Sequence, residues 1–452
     1  MMPATLNTLP PELQAAILSY VPRPSDLRSL CLSDKQLRAV ATPKLYHIVI
    51  LDLAEWKEGM GFFTLGNTGH RHVRHLRCLW EYGRTEHAQT GLRRALQLLP
   101  MNSLVEMLAP INMPLDKDTF STICTLQKSL RAVEMGPLSG LVNEDLMSPA
   151  AWLQQLELLD TPPNIAGIAD LDYYGAIINQ CPKLKVLGIR STDVAGHQLD
   201  DNATSNGLRY EKLFSGIEAA GRRLTLDQLW VQEICLEFAD RTFTRVIDFS
   251  CLRGLKIYEC SGVGELLRHL ASSAATAPLR LRGFVLENAL DEFDVVDLQD
   301  FLKSFSGLAY LLIRDDFADD GFDTKCLSNH LTTLEDMYIG RGKNENLHEP
   351  HWVATPAEVQ VLSHRATNVR QLAMALPELE LSQTDDGDCR EFGVVLVSLP
   401  ANACDALTDT TRVTSLDLPS WKYYASLHGR SHPQDSTGRQ EISTSERYME
   451  LP

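Results

Sequence analysis

The chain has 452 residues, 44% apolar and 22% charged, a balance that supplies a sizeable core and excludes a wholly disordered polymer. A formal charge of −17 at pH 7 excludes a broad phosphate-binding role, which needs clustered Lys and Arg. No stretch approaches ~18 uninterrupted apolar residues, so no membrane span is expected, and without a basic segment leading into an apolar run no signal peptide is expected.

The first elements lie in LNTLPPELQAAILSYVPRPSDLRSLCLSDKQLRAVATPKLY, residues 6–46. Leu13, Ile17 and Val21 stand at i, i+4 and i+8, one stripe of a helix. Pro10 and Pro11 suit its first turn, Glu12 meets the positive end of its dipole, and Pro22 and Pro24 stop it. Ser25 then reads as an N-cap for a second helix carrying Leu27, Leu30 and Cys31. Ser33 and Gln36 read as a capping box for a third, with Leu37, Val40, Ala41 and Leu45 as its apolar face. Helices this short are marginal alone, and Leu9, Leu18, Tyr20 and Leu32 add apolar surface outside the main stripes. Such a unit is expected to rest against something else.

These residues resemble an F-box. The likeness lies in Leu9, Pro10, Glu12 and Leu13, then Ile17, Leu18, Tyr20 and Val21, then Asp26 and Leu27, and finally the ATPKLY ending at Tyr46. It covers about forty residues, a tenth of the chain. Departures are Leu37, where the family often has an aromatic residue, and Ser33-Asp34, where it often has Val-Ser. The resemblance implies docking onto a Skp-type adaptor and through it a cullin, with Leu9, Pro10, Leu13, Ile17, Leu18, Leu27 and Leu30 facing the adaptor.

From about residue 71 a template recurs: apolar-x-x-apolar-x-apolar. Copies are Val73-Leu76-Cys78, Leu104-Met107-Ala109, Leu130-Val133-Met135, Leu153-Leu156-Leu158, Leu184-Leu187-Ile189 and Leu226-Leu229-Val231. They continue at Leu252-Leu255-Ile257, Leu281-Phe284-Leu286, Leu308-Leu311-Ile313, Leu334-Met337-Ile339, Val369-Leu372-Met374 and Val413-Leu416-Leu418. Most follow a helix-like segment and a short break, as in LQDFLKSFSGLAYLLI. A helix-then-strand unit near 26 to 30 residues is the mark of leucine-rich repeats, stacked with strands on the inner curve. The expectation is therefore an α/β chain: a three-helix F-box over 1–50, a connector over 51–70, an irregular leucine-rich-repeat solenoid over 71–421 (curved sheet inside, helices outside) and a mobile tail over 422–452. Inserted loops are expected at 193–207 and at the acidic 383–391.

Residues between the buried positions should face outward from the strands. They are Arg190, Gln228, Trp230, Gln232, Lys256, Tyr258, Glu287, Tyr310, Arg314, Asp336 and Tyr338. Aromatics and Arg dominate binding hot spots, so Arg190, Trp230, Gln232, Lys256, Tyr258, Tyr310, Arg314 and Tyr338 are the candidate substrate-binding residues. Other patterns carry less. His70, His72, His75, His348 and His351 lack the spacing and thiol or acidic partners of a zinc site and read as exposed loop histidines. DDFADDGFD (315–323) lacks the bidentate Glu of a calcium loop, and IGRGKNEN (339–346) lacks the full phosphate-loop spacing. Ten cysteines without a CxxC pair point to reduced, mostly buried thiols and a cytosolic or nuclear setting.

No cofactor, metal, nucleic acid or catalytic residue is expected. The expected function is that of the substrate-recognition subunit of a Skp–cullin–F-box ubiquitin ligase, with an unidentified protein target. A scaffold that binds proteins without ubiquitination, or an enzyme whose site only the fold assembles, stays open at this stage.

Overall fold

Three helices open the chain: α1 (Pro11–Ser19), α2 (Pro24–Ser33) and α3 (Lys35–Leu45). Pro11 and Pro24 stand in the first turns of α1 and α2, where the missing N–H removes no helix bond. Two capping expectations are corrected. Ser25 lies inside α2, whose N-cap is Arg23. The cap of α3 is Asp34, extended at φ −154°, ψ 148°, with its carboxylate accepting from the N–H groups of Gln36 (2.7 Å) and Leu37 (3.2 Å). The carboxylate thus meets the positive end of the helix. Leu18, Leu27 and Ala41 form a small core, with Val21, Leu30, Cys31, Val40 and Leu45 packed around it. Gln14, fully buried, donates to the carbonyls of Leu6 (3.1 Å) and Leu9 (3.0 Å) and ties the leading turn to α1.

The computed structural model describes residues 6–54, 61–80, 84–110, 113–139, 153–161, 168–190, 213–234, 236, 239–287, 289, 294–314, 322–340, 356–375 and 394–398. After α3 the chain enters a thirteen-stranded sheet. Its strands are β1 (Ile48–Asp52), β2 (His75–Leu79), β3 (Glu106–Leu108), β5 (Ala132–Glu134), β7 (Leu158–Asp160), β8 (Val186–Arg190) and β9 (Gln228–Gln232). It continues with β10 (Gly254–Tyr258), β11 (Gly283–Glu287), β12 (Tyr310–Arg314), β13 (Asp336–Gly340), β14 (Gln371–Ala375) and β15 (Val394–Ser398). Two short strands, β4 (Leu115–Asp116) and β6 (Leu138–Ser139), pair separately. The spatial order of the large sheet is the chain order. Each strand is parallel to the one before it except β15, which runs antiparallel to β14.

Helices lie in most of the crossovers: α4 (Thr85–Leu98), α5 (Lys117–Leu126), α6 (Ile168–Asn179), α7 (Ala239–Val246), α8 (Val263–Ala274), α9 (Val295–Lys303) and α10 (Pro356–Arg365), while short 3-10 turns such as Thr68–His72, Leu153–Gln155 and Thr324–Leu327 stand in others. From β1 to β13 the second residue of each strand in the large sheet, and the fourth where there is one, packs with apolar helix residues such as Leu266, Leu270, Leu298 and Phe301 in one continuous core. No single unit could bury both its strand and its helix face, so the sheet grows by stacking.

The apolar template coincides with these buried positions from Val73-Leu76-Cys78 through Leu334-Met337-Ile339, with one correction. The copy at Leu153-Leu156-Leu158 is three residues out of register. Leu159 pairs with Val133 and with Leu187, so the inward triplet is Leu156, Leu159 and Thr161, all sealed, while Leu158 turns outward beside Ala132. The side-chain period of two makes the face assignment depend on register. A second correction concerns the boundary at 50 and the connector over 51–70. Val49 pairs with Leu76 and Leu51 with Cys78, so β1 already belongs to the sheet, and Tyr46-Val49-Leu51 is an earlier copy of the template. β15 was not anticipated. The proposed copy at Val413, both inserted loops and the tail lie outside the described residues.

Candidate functional site

The three leading helices keep apolar surface bare. Leu13 is 52% exposed, Ile17 45%, Tyr20 86% and Leu32 72%, with Pro10 also exposed and Leu9 and Leu30 partly so. Of the residues expected to face an adaptor, Leu18 and Leu27 are the exceptions. At 1% and 3% exposed they are the unit's own core, because any three-helix cluster must close some apolar residues on itself. The exposed set is therefore Leu13 and Ile17 on α1, one turn apart, with Pro10 at its head.

The second surface is the sheet face opposite the core. From β8 to β13 the first, third and fifth residues of each strand point to it, and the register sets them in rows. One row runs Gly188, Trp230, Lys256, Val285, Leu312 and Tyr338. The next runs Arg190, Gln232, Tyr258, Glu287, Arg314 and Gly340. All eight candidate substrate-binding residues thus lie on one face, each half-buried. The register also brings in residues the sequence reading did not single out.

Asp160 leads the first row beside Gly188, and Glu134 stands beside Asp160 on the neighbouring strand. Asp160 is 1% exposed, and Arg190 Nη2 donates to its Oδ2 at 2.7 Å. Burial pushes its carboxyl well above the usual range, Arg190 opposes this, and the Glu134 carboxylate adds to it. The Arg190 guanidinium lies 4.2 Å from the Trp230 ring centroid, a cation–π contact. Gly188 makes the arrangement possible. A Cβ there would lie 2.3 Å from Trp230 ring atoms and 2.5 Å from Asp160 Oδ1. Asp160 therefore orients Arg190, which holds Trp230 flat against the strand. Two neighbouring carboxylates could suggest hydrolytic chemistry. Here both are sealed, at 1% and 8% exposure, and admit no substrate. The signal for Asp160 was hidden by the register slip at Leu158.

Across the middle of the face the side chains are poorly solvated. Burial pushes the Tyr258 hydroxyl up, with Glu287 and Tyr310 adding to it, and pushes Tyr310 up to about 12, so both remain hydrogen-bond donors at neutral pH. Burial lowers the Lys256 ammonium.

Two of the singled-out histidines, His70 and His75, make packed contacts within the fold. His70, 7% exposed rather than a loop residue in solvent, bonds the Phe62 carbonyl through Nε2 at 2.8 Å. His75 is in β2, with Nδ1 3.2 Å from Glu106 and Nε2 3.1 Å from His47 Nε2. Among the described residues no group of three His, Cys, Asp or Glu could hold a metal ion. Cys78, Cys181 and Cys260 are buried free thiols whose ionisation burial pushes up to about 12. His348, His351 and residues 315–321 and 341–346 lie outside the described residues. No described helix is long and apolar enough to cross a membrane.

No protein-family model matches the chain, and no curated protein matches it in sequence.

Proposed function

We propose that the chain is a non-catalytic substrate receptor of a Skp–cullin–F-box ubiquitin ligase. The three-helix unit acts as an F-box that holds a Skp-type adaptor, and the strand–helix array acts as a leucine-rich-repeat solenoid whose open sheet face holds a protein target. The observation that carries this reading is the exposure of Leu13 and Ile17, one turn apart on α1, while Leu18 and Leu27 close the unit behind them. A helix that hides one apolar stripe and bares another has a second surface to cover. The sheet face supports the other half, since Trp230, Tyr258, Tyr310 and Tyr338 share it with Arg190 and Arg314. Such a receptor raises the effective concentration of target lysines near the charged conjugating enzyme and needs no reacting group of its own.

The test mixes the purified full chain with a purified Skp-type adaptor. A stable one-to-one complex that also retains a cullin supports the receptor. An adaptor complex that never recruits a cullin favours a scaffold that binds proteins without ubiquitination, and the absence of any complex removes the F-box reading.

A further inference from the structure

Lys256 occupies the third position of β10, between Trp230 on one side and Val285 on the other. Val285 is 4% exposed, so the lysine stem rises from a covered apolar floor. Gly254, two residues earlier on the same face, contributes no side chain of its own, and the Gln228 side chain packs beside it, within 3.3 Å of where a Cβ would stand. Two residues later Tyr258 offers a hydroxyl that burial keeps protonated.

No counter-charge stands against Lys256 among the described residues. Among the described residues no hydrogen bond or ion pair reaches Lys256, and burial alone accounts for its perturbation. The neighbouring cation on this face differs: Arg190 is bonded to Asp160. The nearby Glu287 stands in register between Tyr258 and Arg314, in the next row. A half-desolvated ammonium without a partner is costly, and an incoming anion would relieve that cost at the moment of binding. Such a group is unfavourable in the free protein and favourable in a complex.

Resting on the receptor reading of this face, we infer that Lys256 is the anion-binding subsite of the target surface. It takes one acidic side chain, a carboxylate or a phosphate, of an extended segment of the partner protein. Tyr258 adds a hydrogen bond to that anion, while Trp230 and Tyr310 receive the flanking side chains. The overall charge of −17 makes the selection sharper, because an acidic partner is repelled elsewhere and captured where a cation stands uncompensated.

The experiment immobilises the full chain and offers four pools of synthetic dodecapeptides with random flanks. Their central residue is fixed as Ala, Glu, phosphoserine or Lys. Wild type should retain the Glu or phosphoserine pool about tenfold over the Ala pool, the scale of one charge-assisted hydrogen bond. Whichever of the two is retained more identifies the anion as carboxylate or phosphate. Lys256→Met, of nearly the same shape, should abolish the preference, Lys256→Glu should shift it to the Lys pool, and Trp230→Ala should lower capture of every pool. An acidic preference unchanged in Lys256→Met overturns the inference, and so does a wild type with none. If Trp230→Ala still lowers capture in those cases, the receptor reading of the face survives. Capture indifferent to Trp230→Ala, or no capture of any pool, overturns that reading as well. Equal thermal midpoints for wild type and Lys256→Met show that the comparison is between folded proteins.

Discussion

The exposed stripe of α1 gives the receptor reading a quantitative test. Replacing Leu13 and Ile17 together by Gln keeps strong helix formers in α1 and removes the bare apolar surface. Covering a whole Leu or Ile side chain is worth about 1.5–3 kcal/mol. With 52% and 45% of these residues exposed, an adaptor gains about 1 kcal/mol from each, or about 2 kcal/mol for the pair. The Gln amides add further cost if the interface leaves them without partners. Affinity for the adaptor should therefore fall at least about thirtyfold. The stability of the chain should fall far less than on emptying the core, because about half of each side chain already faces solvent. Leu18→Ala is the control with the opposite signature. At 1% exposure it empties the small core, costs about 2–5 kcal/mol and disorders the three helices. Titration calorimetry against a purified Skp-type adaptor, with thermal melts of each variant, reads both quantities. An L13Q/I17Q variant that binds like wild type would refute the argument, as would one that melts as early as Leu18→Ala.

Three further outcomes are expected. Gly188→Ala should lower the thermal midpoint, by about 1–3 kcal/mol of overpacking, and change Trp230 fluorescence, because the new methyl meets the indole and Asp160; an unchanged spectrum and midpoint would refute the close approach. Asp34→Ala should cost about 1 kcal/mol by removing the cap of α3, read as lost helicity by circular dichroism, whereas Asp34→Asn should retain most of it. His330 is fully buried and neutral, with Nδ1 accepting from the Leu308 N–H at 3.3 Å and Nε2 donating to the Leu302 carbonyl at 2.8 Å. Burial lowers its pKa below 6.5, so the unfolded chain binds the proton first, and the stability it contributes is present above pH 6.5 and lost as pH falls below it. His330→Gln should flatten that part of the profile while keeping neutral-pH stability, since Gln127 makes the same two bonds to the Leu104 N–H and the Pro100 carbonyl.

The strand array was readable because each unit repeats one physical requirement, two inward apolar residues separated by an outward one. That requirement survives poor sequence similarity between copies. It fails where two registers fit equally well. In LQQLELL, Leu153 to Leu159, apolar residues recur every one to three positions, and only pairing with Val133 and Leu187 selects the inward set. The slip turned Asp160 from an outward charge into an unnoticed residue and hid the support of Trp230. Similarly, Gln14, Gln127 and His330 carry no sequence signal. Each is a buried polar side chain whose partners are backbone groups of another turn or unit. On the helices, periodicity placed the elements but could not divide Leu13 and Ile17 from Leu18 and Leu27. Every one of them is apolar, and three short helices can be closed in several ways.

The junction between helices and sheet bears on how a receptor of this kind would work. Only Tyr46 and His47 separate α3 from β1, so no flexible connector intervenes. The His47 carbonyl accepts from the N–H groups of Arg74 and His75, both at 3.0 Å, which continues the ladder of β1 and β2 to the end of the helix. The Tyr46 ring packs against Phe62 at 5.2 Å between centroids and covers Gly69, where a Cβ would come within 2.8 Å of it. The residue that ends the F-box-like pattern is thus also the first apolar position of the strand template. On the receptor reading, an adaptor bound to α1 and a target bound to the sheet face are joined through packed residues, not through a tether. The distance between target and conjugating enzyme is then set by structure, and effective concentration depends on fixed geometry instead of linker length. Loosening this junction with Tyr46→Ala should leave each binding surface intact while weakening their coupling, which separates a receptor built for transfer from two independent binding modules on one chain.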